Sequence, residues 1–226
     1  MTTKIEMKKK ILIFILAMLS IISFAQKKEI YLDEDSIQKE DLIEISKNKF
    51  DITVKGYVYF NFQFDLDSLI LNVKVQRIKK GQIPNKSLDS IKSELSIISG
   101  KTIPDGNVIV INYYHGLDRC HSSGNKSYIS SGHKRFSKKI KEIENVSQFS
   151  MYKSSKGIKK YGNKSYWIKD EFGTIQKMFL PLHYPCGSYV LIDENGNYYI
   201  QKGEYAFEEI FDLLKNKKTT FTNNTN

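Results

Sequence analysis

Ser188-Tyr189-Val190-Leu191-Ile192-Asp193-Glu194-Asn195-Gly196-Asn197-Tyr198-Tyr199-Ile200-Gln201 is the stretch of this 226-residue chain that decides its fold. Ser188 to Ile192 reads as a buried strand, and Asp193 to Asn197 holds the Asn-Gly signal of a hairpin turn. Tyr198 to Gln201 pairs back. Gly203 then leads into a helix with Phe207, Ile210, Phe211 and Leu214 on one face. The chain therefore closes on strand, tight turn, strand and amphipathic helix.

Working upstream, Val108 to Ile111 is a continuous apolar run, the mark of a strand covered on both faces. A polar loop from His115 to His133 follows, and a helix is predicted from about Lys134 with Phe136, Ile140 and Ile143 along one side. Val146 to Tyr152 reads as a further strand. Residues 153–181 are mixed, with Tyr166 to Leu180 read as helix interrupted at Gly173. Before the apolar run, Ser87 is a good N-cap for a helix bearing Leu88, Ile91, Leu95 and Ile98, and Gly100 is its stop. Buried strands alternating with helices, closed by an antiparallel pair, predict an α/β fold with a mixed sheet and flanking helices.

That order resembles the thioredoxin-like superfamily over about residues 87–216. Ser188 to Gly203 looks like the superfamily's strand, Asp-x-x-Gly hairpin and strand before its final helix, and Asn107 to Tyr113 looks like the central strand that delivers the active-site loop. Cys120 falls about where the family places its nucleophile. However, the chain reads Cys120-His121-Ser122-Ser123, so Ser123 stands where the Cys-x-x-Cys motif has its second thiol. Pro185 is near the family's cis-proline position, with Cys186 and Gly187 between it and the strand. The family's geometry implies that the loops bearing Cys120 and Cys186 lie side by side.

The first half is simpler. Glu29 to Leu32 is a short strand, and Ser36 to Lys47 a polar, weakly helical stretch. Val58, Phe60, Phe62 and Phe64 alternate with Tyr57, Tyr59, Asn61 and Gln63. The turn Asp65-Leu66-Asp67-Ser68 precedes a second alternating run, Leu69 to Val75. This is an N-terminal β-hairpin, expected to extend the thioredoxin-like sheet. With the helix from Ser87, and with Phe62-Gln63-Phe64-Asp65 before the turn, it is also similar to the ββα order of TonB-type periplasmic domains.

At the N-terminus, Lys8, Lys9 and Lys10 precede an apolar run from Ile11 to Phe24, and Ser23-Phe24-Ala25 ends it with small residues at the cleavage positions. This is the layout of a secretory signal over residues 1–25. Fourteen helical residues rise about 21 Å, short of the roughly 30 Å hydrocarbon core. The organisation expected is signal peptide 1–25, hairpin region 26–86, α/β domain 87–216 and a polar, disordered tail 217–226. The destination is periplasmic or extracellular, with no stable membrane insertion once the signal is removed. The net charge of +10 falls to +7 without residues 1–25, which hold four Lys and one Glu. Only Arg77, Arg119 and Arg135 are arginine, and the lysines are spread along the chain, so nucleic-acid binding is not expected.

Chemistry is expected where the reactive side chains gather. Every histidine and cysteine lies in residues 115–133 (His115, Cys120, His121, His133) or 183–186 (His183, Cys186). Two cysteines in an oxidising compartment make a disulfide the default. Three readings stand. In the first the disulfide is structural and the protein plays a non-catalytic or atypical thioredoxin-like role. In the second Cys120 and Cys186 work as a redox pair in a thiol–disulfide oxidoreductase, with the Cys120 pKa lowered by a helix dipole and Arg119. In the third both thiolates join two of His115, His121, His133 and His183 around zinc or copper. No cofactor or stoichiometric metal is expected, since neither loop carries an established ligand spacing. Trp167, Tyr161 and Tyr166 read as packing residues.

Overall fold

The computed structural model describes residues 27–37, 43–53, 58–117, 126–161 and 166–222. The expected signal sequence, Cys120 and His121 lie outside them, as do 223–226 of the expected tail. The chain divides into two compact units, one holding residues 1–53 and 61–74, the other 54–60 and 75–226.

In the first unit β1 (Lys28–Asp33) is followed by α1 (Glu34–Ile37) and α2 (Lys47–Thr53). The expected hairpin is β2 (Tyr59–Asp65) and β3 (Leu69–Gln76), tied at its turn by Leu66 N–H donating to Leu69 O at 2.9 Å. The sheet order is β1-β3-β2, with β1 parallel to β3. Leu32, Val73 and Phe50 are buried, and Tyr31 meets Phe50 edge-on at 5.0 Å. The hairpin thus has a sheet of its own and does not extend the larger one. The helix after it falls in the other unit.

The second unit carries a six-stranded sheet. Its elements are β4 (Ile78–Gln82), α3 (Asn85–Ser99), β5 (Val108–Tyr114), α4 (Lys126–Ile140), β6 (Val146–Tyr152), a 3-10 turn (Ile158–Tyr161), β7 (Trp167–Lys169), α5 (Thr174–Phe179), β8 (Ser188–Ile192), β9 (Asn197–Gln201), α6 (Phe207–Lys215) and α7 (Lys217–Phe221). The order is β4-β9-β8-β5-β6-β7. β5 pairs parallel with β6 and antiparallel with β8, β8 antiparallel with β9, and β9 antiparallel with β4. A central βαβ joined to a ββα on one sheet is the thioredoxin-like arrangement.

Register explains the packing. Val110 lies opposite Leu191, and Leu191 opposite Tyr199; on this face they join Phe136 and Ile140 of α4 and Ile210, Phe211 and Leu214 of α6 in one cluster. Ile109, Ile111, Val190 and Ile192 form the other face, equally buried. Each such side chain contributes about 1.5–3 kcal/mol on burial. This two-sided cover is why β5 and β8 contain almost no polar residues. At the β8–β9 turn, Asp193 Oδ1 accepts from the amides of Asn195 (2.9 Å) and Asn197 (2.8 Å). Gly196 alone takes positive φ there (78°), so the loop is a type I turn closed by a glycine bulge, not a two-residue turn on Asn-Gly.

Four boundaries differ from the sequence reading. α3 starts at Asn85, after Pro84 rather than at Ser87, although Gly100 (φ 66°) ends it as expected with its N–H on Ser96 O. α4 starts at Lys126, not near Lys134. Residues 166–180 are β7 and α5 rather than one broken helix. Lys217–Phe221 is helical where the polar composition points to a disordered tail: Thr220 is buried with Oγ1 donating to Leu213 O at 2.8 Å.

Candidate functional site

The candidate site is built where β5 ends and β8 begins. Tyr113 pairs with Ser188 across these antiparallel strands, so the segment leaving β5 and the segment entering β8 emerge at one end of the sheet. His115 and His183 prove the juxtaposition: their rings stack with centroids 5.4 Å apart and planes 21° from parallel. The described start of the first loop, at His115, therefore lies beside the segment that enters β8, while Cys120 lies outside the described residues.

His115 is 4% exposed. Its Nε2 lies 3.0 Å from Leu180 O. A carbonyl only accepts, so Nε2 is the donor in this contact. Tyr113 (5.0 Å) and Tyr184 (5.6 Å) meet the same ring edge-on. Tyr184 is fully buried and packs under Lys202, whose Nζ is 5.6 Å from the ring and whose own exposure is 1%. His183, by contrast, is exposed.

Cys186 is half-buried and is not a free thiol. Its backbone is left-handed (φ 66°), as is Gly187 after it (φ 86°). An L-residue pays for that conformation, and such outliers gather at functional sites and clamps. No cis peptide bond occurs among the described residues, the one before Pro185 included. Cys186 lines a cavity of about 320 Å³ together with Tyr113, His133, Trp167, Gly187 and Phe207.

His133 enters that cavity from α4, not from a loop, because α4 begins eight residues earlier than expected. It sits edge-on to Phe207 at 4.8 Å and tilted against Trp167 at 5.7 Å. Trp167 is the packing residue anticipated, 9% exposed and edge-on to Tyr114.

One pair had no signal in the sequence. Tyr113 donates its hydroxyl to Asp170 Oδ2 at 3.0 Å, and the Gln176 amide donates to the same oxygen at 3.0 Å. Burial, then the neighbouring Asp170 carboxylate, push the Tyr113 hydroxyl pKa well above its ordinary value. Tyr113 is thus a fixed neutral donor. Of the candidate residues, His115, His183 and Cys186 fall on adjoining segments and His133 on the cavity wall. Among the described residues no three His, Cys, Asp or Glu side chains converge as a metal site.

No family model and no curated protein matches the chain. Among solved structures, it is similar to DsbF of MTB in mixed oxidised and reduced forms, at 13% identity over 52% of this chain and 83% of that one, with a TM-score of 0.34. A Neisseria meningitidis protein assigned to the thioredoxins matches at 14% identity, covering 72% and 90%, TM-score 0.35. BsSco, a member of the Sco family of cytochrome c oxidase assembly proteins with an identified disulfide switch, matches at 15%, covering 73% and 95%, TM-score 0.32. The thioredoxin-like description rests on the order and direction of the strands. No helix among the described residues is long and apolar enough to cross a membrane.

Proposed function

We propose that this chain is an exported protein of the cell envelope with a thioredoxin-like domain, in which Cys186 is bonded to Cys120 and the disulfide serves as a structural staple. The observation that carries the reading is the His115–His183 stack, which sets the segment leading to Cys120 beside the one bearing Cys186. It is supported by the absence of a free thiol among the described residues in a chain with two cysteines. Such a bond closes a loop of 66 residues and stabilises the fold by roughly 4 kcal/mol in the chain-entropy model. The role is non-catalytic: Ser123 replaces the second thiol that would make a local redox pair.

A second reading, a thiol–disulfide oxidoreductase using Cys120 and Cys186, is favoured by one observation. Cys186 opens on the aromatic cavity with His133 and Trp167, a place where a partner's thiol could approach. The reduction potential of the pair decides between them. A value below roughly −300 mV identifies a staple, and one between about −120 and −230 mV a working redox pair. Export is tested separately by intact mass of protein recovered from the envelope. It should begin at Gln26, and a mass starting at Met1 or Met7 refutes it.

A further inference from the structure

Among the described residues the two sheets end in the edge strands β1, β2, β4 and β7. Three of these edges are guarded. Along β1, Ile45 donates its N–H to Tyr31 O at 2.8 Å and Leu32 bridges to Glu44. β4 carries Lys79 and Lys80, and β7 is only 3 residues long. A covering segment, charge and shortness are the usual protections of an edge against another chain. β2 has none of them. Tyr59-Phe60-Asn61-Phe62-Gln63-Phe64-Asp65 holds no lysine and no proline, and among the described residues no strand lies beyond it.

The hairpin register fixes which groups face outward. Leu66 donates its N–H to Leu69 O at one end and Arg77 to Val58 O at the other, both at 2.9 Å. Ladder bonds of an antiparallel pair recur at every second residue. Phe60, Phe62 and Phe64 therefore bond to β3, while Asn61, Gln63 and Asp65 turn their N–H and C=O groups away from it. The side chains alternate as well, with Phe62 and Phe64 beside Val73 and Leu71 on one face and Asn61, Gln63 and Asp65 on the other. Val73 is fully buried, but at the margin of that apolar face Phe64 and Leu66 are 37% and 47% exposed.

Asn61-Phe62-Gln63-Phe64-Asp65 has the same polarity read in either direction, with Gln63 at its centre. We propose that β2 pairs antiparallel with β2 of a second copy of this chain, about a two-fold axis at Gln63. A two-fold contact must be self-complementary, since residue i meets j and j meets i. Gln63 then faces the partner's Gln63, and their outward N–H and C=O groups exchange backbone bonds. Phe62 faces the partner's Phe64, at the closely spaced positions where side chains approach most. Asn61, an amide donor, faces the partner's Asp65, a carboxylate acceptor. Asp65 is the segment's one charge and is already ion-paired with Lys27, so no like charges oppose one another. The result is one continuous sheet of order β1-β3-β2-β2-β3-β1, in which each copy covers the exposed Phe64 of the other. This self-complementarity selects a second copy over a foreign strand.

Sedimentation velocity of the purified protein should show a reversible monomer–dimer equilibrium between about 1 and 100 μM, the range of a small edge contact. Gln63→Pro tests the ladder. The N–H it removes points away from β3, so the circular dichroism should be retained while the dimer is lost. Gln63→Lys and Gln63→Glu test the axis. Each sets like charges face to face and should weaken the dimer several-fold, and an equimolar mixture of the two should restore it as a heterodimer. A dimer that survives Gln63→Pro lies elsewhere on the molecule, and a monomer at about 100 μM leaves the edge to a foreign strand. A mixture no tighter than either single variant removes the axis. Each of these three results overturns the proposal.

Discussion

Replacing Gly187 by alanine should destabilise this molecule by more than its backbone conformation alone explains. Gly187 has φ 86°, and a Cβ there would lie 3.1 Å from the carbonyl oxygen of Tyr113. The left-handed conformation costs an L-residue about 1–2 kcal/mol. The steric contact adds to it, because Tyr113 sits in β5 between β6 and β8 and its backbone has nowhere to retreat. Overpacking of this kind costs roughly a further 1–3 kcal/mol. Gly100→Ala supplies the control: φ is 66° and nothing lies within 4 Å of the new Cβ, so only the conformational part applies. In urea, with a slope of about 2 kcal/mol/M, Gly187→Ala should lower the unfolding midpoint by about 1–2.5 M and Gly100→Ala by about 0.5–1 M. Equal midpoint shifts for the two variants would refute the steric half of the argument, and no shift in either would refute both.

Alkali should unfold the protein through its tyrosines. Burial raises the pKa of Tyr113, Tyr189 and Tyr205, so the fold retains neutral phenols while the unfolded chain ionises near pH 10. Their contribution is fully present below pH 10 and falls above it, by about 1.4 kcal/mol per pH unit for each group. Absorbance near 295 nm should then rise in step with loss of circular dichroism; smooth titration of all 14 tyrosines in a still-folded protein contradicts this. Tyr113→Phe removes one of two donors to Asp170 and should cost about 1 kcal/mol, read by thermal melting, since the Gln176 amide remains. Truncation after Asn216 deletes buried Thr220 and the Phe221 packed on the α4–α6 cluster, and should cost about 1–3 kcal/mol. An unchanged melting temperature would mean that α7 is ornamental.

What the sequence made legible was whatever two-sided burial or turn chemistry had written into it. Val108 to Ile111 and Ser188 to Ile192 had to be apolar because both their faces are buried, and they were read correctly. Asp193 to Gly196 announced its turn because the loop needs a side-chain acceptor and a left-handed glycine. The start of α4 was hidden because its first turns, Lys126 to Gly132, hold serines and a glycine in place of an apolar stripe. β4 escaped notice for the same reason, since Ile78-Lys79-Lys80-Gly81-Gln82 is an edge strand with little to bury. At the site, the adjacency of the His115 and His183 segments was legible through the resemblance. The placement of His133 in the Cys186 cavity, and the Tyr113–Asp170 bond, depend on β7 and α5, whose short segments carry no periodicity to detect.

The pairing of β4 with β9 sets the order of events as the chain folds. Ile78 is the partner of Gln201, so more than half the chain must be synthesised and gathered before this edge can form. Loop-closure entropy and high contact order both make such a pairing late. Until then β4 waits as an unpaired ribbon. Its Lys79-Lys80-Gly81 core is the kind of charged, weakly β-forming segment that resists recruitment by neighbouring chains. The residues that made β4 hard to recognise are therefore those that let it wait for its partner without aggregating.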